Sequence, residues 1–227
     1  MGTVRKSSKP ARRRVGRPRG DAPDLRERLI DAAIAEFARV GIGATSLRAV
    51  AQAAGATPAM LHYYFGDKQQ MAMAMVNERL LPAAAPLRAR IEAAGDEPTE
   101  LAEAFVGGMA DMIAGNPWLP ARWVREVLCE GGALREIVFK RAVPQMPQVL
   151  AQRFAAAQAR GRLDRRLDPR LMVVSLVGMT LFPAAGAPIW RKVFDASDLD
   201  SAALQKHVLA LLDHGMGARA PARRSAS

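Results

Sequence analysis

Three aromatic residues whose rings carry polar atoms, His62, Tyr63 and Tyr64, stand side by side in the stretch GATPAMLHYYFGDK, residues 55–68. Phenol and imidazole groups can donate hydrogen bonds to phosphate oxygens. A short helix buries only one face, so at least one of the three rings must point away from the core. At least one of these rings is therefore expected to have a partner outside the core.

The rest of the chain offers no catalytic pattern. We find no nucleophile with an adjacent base, no carboxylate pair in a suitable context and no glycine-rich phosphate loop. His207 and His214 lie seven residues apart on the last predicted helix, without a carboxylate or cysteine at ligand spacing. The sequence predicts a protein that is not an enzyme and has no metal site and no cofactor.

The positive charge is concentrated at the two ends of the chain. The net charge is +11, and residues 1–20 hold eight basic residues and no acidic one. The segment after Gly217 adds three arginines, so the part between the ends is close to neutral. We expect disordered basic segments at 1–23 and 218–227, which favour a polyanionic partner or serve only as solubilising tails.

The composition and periodicity predict an all-α protein. Alanine is abundant, aromatic residues make up 5% of the chain, and strand-like runs are missing. Apolar residues at every fourth position from Leu25 to Phe37 predict a first helix. A second helix is expected to start at Thr45 or Ser46, a third to run from Pro58 to about Tyr64, and a fourth from Lys68 to about Leu81. Longer helices follow, at 98–114, 118–130, 133–160 with a disruption at Pro144 and Pro147, 169–182 and 200–216.

The composition also bears on the compartment. No apolar run approaches the roughly 20 residues of a membrane span, and no signal peptide is recognised. The single cysteine, Cys129, cannot form an internal disulfide and is expected to be a buried structural residue rather than a redox sensor. The sequence therefore predicts a cytoplasmic protein without a membrane partner.

The second and third predicted helices have the spacing of a helix-turn-helix. Ala51 is small, Gly55 follows four residues later at the turn, and Leu61 is apolar six residues after that. A small residue lets the two helices approach, and glycine adopts the sharp turn. In this context the segment Arg26–Met71 resembles the tetracycline-repressor (TetR) family of transcriptional regulators. The resemblance implies a DNA-binding domain over residues 24–70 and a helical ligand-binding and dimerisation domain over residues 71–217.

The resemblance also implies which residues meet DNA. Phosphate contacts are expected from hydroxyl, ring and basic side chains: Thr45, Ser46, His62, Tyr63 and Lys68. Arg48 is expected to reach a phosphate or a guanine edge. The first turn of the third helix is expected to meet base edges, through Thr57, Pro58, Ala59 and Met60. Tyr64 and Phe65 are expected to turn back into the core. Pro58, Met60 and His62 differ from the residues common in the family, so the operator sequence cannot be inherited from a relative.

The N-terminal arm adds a second mode of DNA binding. Its segment RRRVGRPRGD resembles an AT-hook, which would place Arg17 and Arg19 in the narrow minor groove of A·T-rich DNA. A plain phosphate-binding tail is equally compatible with this short pattern. The domain from Asp21 to Arg79 is slightly acidic, so the arm is expected to supply much of the nonspecific affinity.

The second domain is expected to bind a small hydrophobic effector. A candidate apolar cavity is formed by Phe105, Met109, Met112, Trp118, Trp123 and Val127. For each of these residues ordinary core packing is the competing interpretation. Gly107 and Gly108 indicate either close helix packing or space for a ligand. Arg122 and Glu126 are expected to form an exposed ion pair.

The last two helices are the candidates for a homodimer interface, because they combine small residues with apolar area. The residues concerned are Leu171, Ser175, Gly178, Leu204, Val208 and Leu211. The leading hypothesis is a dimeric repressor that binds a palindromic operator on double-stranded DNA and is released by the effector. The alternative is a constitutive or architectural DNA-binding protein without an inducer.

Overall fold

The computed structural model describes residues 24–141 and 145–216. These residues form α-helices interrupted by two π turns, with no strand among them, which confirms the predicted all-α class. The elements in chain order are α1 (Leu25–Val40), α2 (Leu47–Ala53), α3 (Pro58–Phe65), α4 (Lys68–Met75), π1 (Val76–Leu80), α5 (Leu81–Ala93), α6 (Pro98–Gly115), α7 (Leu119–Trp123), π2 (Val124–Leu128), α8 (Arg135–Arg141), α9 (Gln145–Ala159), α10 (Pro169–Val193) and α11 (Ser201–Met216).

The three N-terminal helices begin and end where their local signals predict. Ser46 caps α2 by accepting a hydrogen bond from the Ala49 amide at 3.1 Å. Thr57 caps α3 in the same way, and Pro58 occupies the first turn, where its missing N–H is not needed. Gly55 adopts a φ of +65° at the turn between α2 and α3. This left-handed conformation favours glycine, as the helix-turn-helix pattern requires.

The fourth predicted helix is longer than expected. It does not end near Leu81 but continues through π1, Pro82 and Pro86 to Ala93. Proline normally interrupts a helix because it leaves the carbonyl of the preceding turn without a donor. Here Pro82 follows the π turn, and the carbonyl of Glu78 accepts a hydrogen bond from Arg79 Nη1 at 3.3 Å instead. The result is one helical connection from the DNA-binding domain into the second domain.

Helix α10 also passes the residue where the sequence predicted its end. It runs through Pro183 and Pro188 to Val193, and the indole nitrogen of Trp190 donates to the Pro183 carbonyl at 2.8 Å. Within the described residues, α10 is the one helix long and apolar enough, by length and composition alone, to cross a membrane. The expectation of no such apolar stretch was therefore wrong. A single helix of this kind is weak evidence for a membrane span, because helices of soluble proteins meet the same criterion.

Two hydrophobic clusters organise the described residues. The first contains the buried faces of α1 to α4 and also Leu119, Val127 and Val138 from later elements. The second lies among α5, α6, α9, α10 and α11. Met112 and Trp123 pack against both clusters. The DNA-binding helices thus share a core with α7, π2 and α8.

Candidate DNA-binding interface

The rings on α3 divide between the core and the surface. Tyr63 is 86% exposed, whereas Phe65 is buried and Tyr64 is half-buried against the first hydrophobic cluster. The Tyr63 and Tyr64 rings meet edge to face, with centroids 5.4 Å apart. The expected division, with Tyr63 outside and the next two rings inside, is confirmed. Tyr63, in the second half of α3, is therefore open to solvent.

All four residues at the start of α3 are exposed to solvent. Thr57, Pro58, Ala59 and Met60 are all exposed, and Met60 is the large apolar side chain among them. The Thr57 hydroxyl oxygen accepts from the Met60 amide at 3.3 Å, which leaves its hydrogen free for another acceptor. An exposed methionine and two other apolar residues at a helix start suit contact with thymine methyl groups.

Ser46 and Arg48 are exposed at the start of α2, but Thr45 is not. Thr45 is 2% exposed, and its hydroxyl donates to the carbonyl of Gly41 at 2.7 Å. The expectation that Thr45 contacts a phosphate was wrong, because its hydroxyl is buried and bonded within the turn between α1 and α2. Its side chain stabilises that turn instead.

His62 is exposed, as expected, but one of its ring nitrogens is already bonded. Nδ1 lies 2.6 Å from the carbonyl oxygen of Gly66. Since a carbonyl oxygen only accepts, Nδ1 carries the hydrogen and Nε2 is the ring nitrogen left for DNA. In a neutral ring Nε2 is an acceptor, so only the protonated ring can donate to a phosphate. His62 thus also stabilises the end of α3.

Lys68 has a structural role that the sequence did not reveal. Its ammonium nitrogen donates to the carbonyls of Ile42 at 3.1 Å and Gly43 at 2.9 Å. An ammonium has three hydrogens, so one remains for a phosphate. Arg17 and Arg19, the proposed minor-groove residues, lie outside the described residues.

Sequence reasoning also missed the contacts that join the two domains. Glu126 is 5% exposed, so the expected exposed pair with Arg122 was wrong. Arg122 donates instead to the carbonyl of Phe37 at 2.8 Å, and Arg125 donates to that of Val40 at 2.8 Å. Burial, with the neighbouring Arg125, lowers the pKa of the Arg122 guanidinium, and Glu126 opposes this shift. The spacing of these three residues, which places them on one helix face, was the signal available in the sequence.

A second set of ion pairs ties α1 to the connecting helix. Arg26 pairs with Glu78, and its guanidinium lies 5.0 Å from the ring centroid of Phe65. Arg79 pairs with Asp31 at 3.0 Å. Glu78 and Arg79 both belong to π1, so this turn faces α1 with two charged side chains of opposite sign.

The expected effector residues pack into or against the two hydrophobic clusters. Phe105 and Met109 are buried in the second cluster and Val127 in the first, while Trp118 is half-buried against the first. Gly108 packs closely on α5, because a Cβ atom there would lie 2.6 Å from Leu87 Cδ1. This geometry favours helix packing over space for a ligand at the paired glycines.

Two cavities lie elsewhere in the second domain. One, of about 240 Å³, lies between α6 and α11 and is lined by Thr99, Ala102, Glu103, Leu209, Ala210, Leu212, Asp213 and Met216. The other, of about 30 Å³, lies among α6, α10 and α11, with Thr180, Ser201 and Gln205 as the polar residues of its lining. Neither includes any of the six expected effector residues.

The predicted dimer residues are partly exposed. Leu171, Ser175 and Gly178 lie exposed on α10, and Leu211 is exposed on α11. Val208 is 2% exposed inside the second cluster, so its assignment to an interface was wrong, and Leu204 is half-buried against the same cluster. The exposed apolar side chains of α10 continue along the helix: Leu171, Val174, Phe182, Ile189 and Val193.

Two further side-chain expectations can be compared with the structure. Cys129 is exposed, so the expectation of a buried structural cysteine was wrong. Within residues 24–141 and 145–216, no group of three or more His, Cys, Asp and Glu side chains could hold a metal ion.

The N-terminal helices match a known family. Residues 29–75 match the family model for bacterial regulatory proteins of the tetR family. These residues are a tetR-family segment. This is a family of transcriptional regulators and not of enzymes. The matched residues begin within α1 and end with α4, so they contain the whole helix-turn-helix.

The relatives of this chain are similar to it over different lengths. The HTH-type transcriptional regulator BetI of Rhizobium meliloti (strain 1021) is 36% identical over 61 residues, which are 27% of this chain and 30% of BetI. The similarity to this curated relative thus spans less than a third of its length.

Solved structures are similar in fold over most of the chain. The fatty acid degradation regulator FadR from Bacillus halodurans has a TM-score of 0.61 at 20% identity, covering 86% of this chain and 96% of that one. AibR, solved in complex with isovaleryl coenzyme A and operator DNA, has a TM-score of 0.65 at 17% identity, covering 83% and 97%. The ketosteroid regulator KstR2 of Mycobacterium tuberculosis has a TM-score of 0.61 at 17% identity, covering 88% and 98%. At these identities the likeness concerns the fold.

Proposed function

We propose that this TetR-family protein is a homodimeric transcriptional repressor that binds a palindromic operator. The observation that carries the proposal is the open surface of α3, where Thr57 to Met60 and Tyr63 are exposed while Leu61 and Phe65 anchor the helix in the core. A recognition helix needs this division, because its N-terminal residues enter the major groove. Ser46, Arg48, Lys68 and the His62 ring supply phosphate contacts around it.

Dimerisation is proposed through α10 and α11. The exposed residues Leu171, Val174, Gly178, Phe182, Ile189 and Val193 of α10 follow one another at steps of three, four or seven residues, and Ser175 lies beside them. A Cβ atom at Gly178 would meet no atom of this chain within 4 Å, so the surface there is open to close approach by another helix. Burying such a stripe against a second copy removes apolar area from water. Leu211 extends the proposed interface onto α11.

The proposed effector is a small apolar molecule that enters where the two hydrophobic clusters meet. Met112 and Trp123 pack against both clusters, Phe105 and Met109 belong to the second cluster, and Val127 and Trp118 lie in or against the first. A drug-sized ligand needs a cavity of roughly 300–1,000 Å³. Binding there must therefore separate side chains that are now in contact. The AibR complex with an acyl coenzyme A and operator DNA supports an acyl compound as the first class to test.

The basic ends are proposed to add affinity without sequence selectivity. Arg17 and Arg19 would lie along the minor groove or on phosphates next to the site read by α3. A constitutive, architectural DNA-binding protein remains the second candidate function, favoured by the eight basic residues in the first twenty. Either protein acts on chromosomal DNA, so we propose a cytoplasmic location.

One experiment separates the two candidates. The purified protein selects duplexes from a random library, and its affinity for the selected and for random DNA is then measured, with and without hydrophobic acids and acyl thioesters. A repressor is expected to prefer the selected palindrome strongly and to release it when a compound raises the melting temperature. Equal affinity for both duplexes would favour the architectural protein. Stabilising compounds that leave DNA binding unchanged would exclude the effector mechanism.

A further inference from the structure

Three charged residues of the second domain reach the end of α1. Arg122 and Arg125 donate to the carbonyls of Phe37 and Val40, each at 2.8 Å. Glu126 Oε1 accepts from the amide of Ile42 at 3.3 Å, just beyond the helix. Carbonyls in the last turn of a helix have no partner within it, and the helix dipole favours cations there. Arg125 and Glu126 therefore satisfy the Val40 carbonyl and the Ile42 amide, and Arg122 adds a second donor to the Phe37 carbonyl, which already accepts from the Gly41 amide at 2.9 Å.

The buried position of Glu126 needs a reason beyond stability. Its other oxygen accepts from the Ala133 amide at 3.4 Å, and Arg125 Nε lies 3.7 Å from Oε1. A buried charge pair is often no more stabilising than apolar residues of the same volume, but its geometry is specific. Apolar residues here could pack α7 and π2 against α1 at several angles. Hydrogen bonds to three fixed backbone groups permit only one packing angle.

Gly41 allows the close approach between the two domains. Its φ is +87°, and the Arg125 guanidinium occupies the space that a Cβ atom would take. On the other side of the same turn, Lys68 binds the carbonyls of Ile42 and Gly43, and Thr45 binds that of Gly41. Lys68 and Thr45 thus fix the turn between α1 and α2 within the DNA-binding domain. Arg122, Arg125 and Glu126 join that domain to the second domain.

We propose that Arg122, Arg125 and Glu126 form an interdomain latch that fixes the angle of the DNA-binding domain relative to the second domain. They are positioning residues and do not touch DNA. In a dimer joined through the second domains, this angle sets the distance between the two α3 helices. The two helices must lie about 34 Å apart, or a multiple of it, to enter successive major grooves on one side of the duplex. The inference rests on the proposed dimeric operator binding.

The test compares Arg125→Gln and Glu126→Gln with wild type on the duplex that the wild-type protein selects. Arg125 is 53% exposed, so its replacement is compatible with folding, and Glu126→Gln keeps an acceptor for the Ile42 amide. The matched control is Glu136→Gln, which removes an exposed carboxylate of the same domain from its pair with Lys140. Affinity is measured on the selected duplex, on duplexes with the half-sites moved apart by one to four base pairs, and on a single half-site.

Both latch variants are expected to bind the selected duplex about 2- to 30-fold more weakly, the range typical of residues that carry coupling between sites. Their affinity for the single half-site is expected to equal that of the wild-type protein. Their affinities for duplexes with different half-site spacings are expected to differ less than those of the wild-type protein. Glu136→Gln should match wild type throughout. Latch variants that keep the wild-type spacing preference would overturn the proposal, as would equal losses on every duplex including the half-site. A wild-type protein without any selected duplex would instead refute the proposed function on which the latch depends.

Discussion

The ammonium nitrogen of Lys68 lies 2.9 Å from the carbonyl oxygen of Gly43, so the first residue of α4 fastens the turn that precedes α2. The same nitrogen also binds the carbonyl of Ile42. One side chain thus has two roles in this domain, one in its internal structure and one, as we propose, at a DNA phosphate.

Replacing Lys68 with methionine tests both roles. We expect the free energy of unfolding to fall by about 1–2 kcal/mol, because two carbonyls lose a charged donor at a half-buried site. Affinity should fall to a similar degree for every DNA sequence, since a phosphate contact carries no base information. Chemical denaturation and binding to selected and random duplexes measure the two effects. Lys140→Met, at a 76% exposed side chain in α8, is the control. Unchanged stability would contradict the structural role.

Met60 and Tyr63 should affect DNA binding in different ways. Met60→Ala, like Thr57→Ala, removes a side chain from the first turn of α3, so the preferred base pair at one or two positions of each half-site should change. Tyr63→Phe removes only an exposed hydroxyl, so affinity should fall equally for all sequences. Selection from a random duplex library by each variant provides the comparison. If Tyr63→Phe changed the selected operator sequence and Met60→Ala did not, the base contact would belong to Tyr63 and the phosphate contact to Met60.

Removal of residues 1–20 should reduce the salt dependence of DNA binding. Each lost phosphate contact lowers the slope of log affinity against log salt by about 0.9. The measurement is a salt titration of full-length and shortened protein on the same duplex. A matched control keeps the arm but replaces Arg17 and Arg19 by lysine, which retains the charge and alters the fork that fits a minor groove. If the shortened protein keeps its slope and affinity, the arm is only a solubilising tail.

Phe182→Glu should separate the proposed dimer into monomers. Phe182 is 70% exposed on the apolar face of α10, so a carboxylate there costs little in one chain but would be buried in a dimer interface. Size-exclusion chromatography with light scattering over a range of concentrations gives the association state. Phe139→Glu, at an exposed phenylalanine of α8, is expected to leave the dimer intact. Equal behaviour of the two variants would place the interface elsewhere.

Gly108→Ala should destabilise the second domain. The new Cβ atom would lie 2.6 Å from Leu87 Cδ1 and 3.1 Å from its Cα, and overpacking of this kind costs about 1–3 kcal/mol. Gly115→Ala, where a Cβ atom meets nothing within 4 Å, provides the control and should preserve or raise the melting temperature. The melting temperatures of the two variants and of the wild-type protein, measured by thermal unfolding, provide the comparison. A stabilised Gly108→Ala would indicate that α5 and α6 have space between them after all.

The sequence determined the helix-turn-helix almost residue by residue, because its signals are local. Ser46 and Thr57 cap helices through side chains that bond within three residues, and Gly55 turns the chain by its own φ. The split between Tyr63 and its neighbours follows from the helical repeat once Leu61 is assigned to the core.

The tertiary structure decided what depends on distant partners. The sequence predicted that Thr45 binds a phosphate, but its side chain is buried in the turn that it stabilises. The sequence also predicted that Glu126 is exposed, but its carboxylate is buried against the end of α1. Pro82 and Pro183 ended helices in the prediction, whereas both helices continue past them, in the first case directly after a π turn. A local sequence pattern indicates the conformation that a segment prefers by itself. The partner of a buried polar group and the angle between the two domains depend instead on segments that lie as much as 85 residues away in the chain.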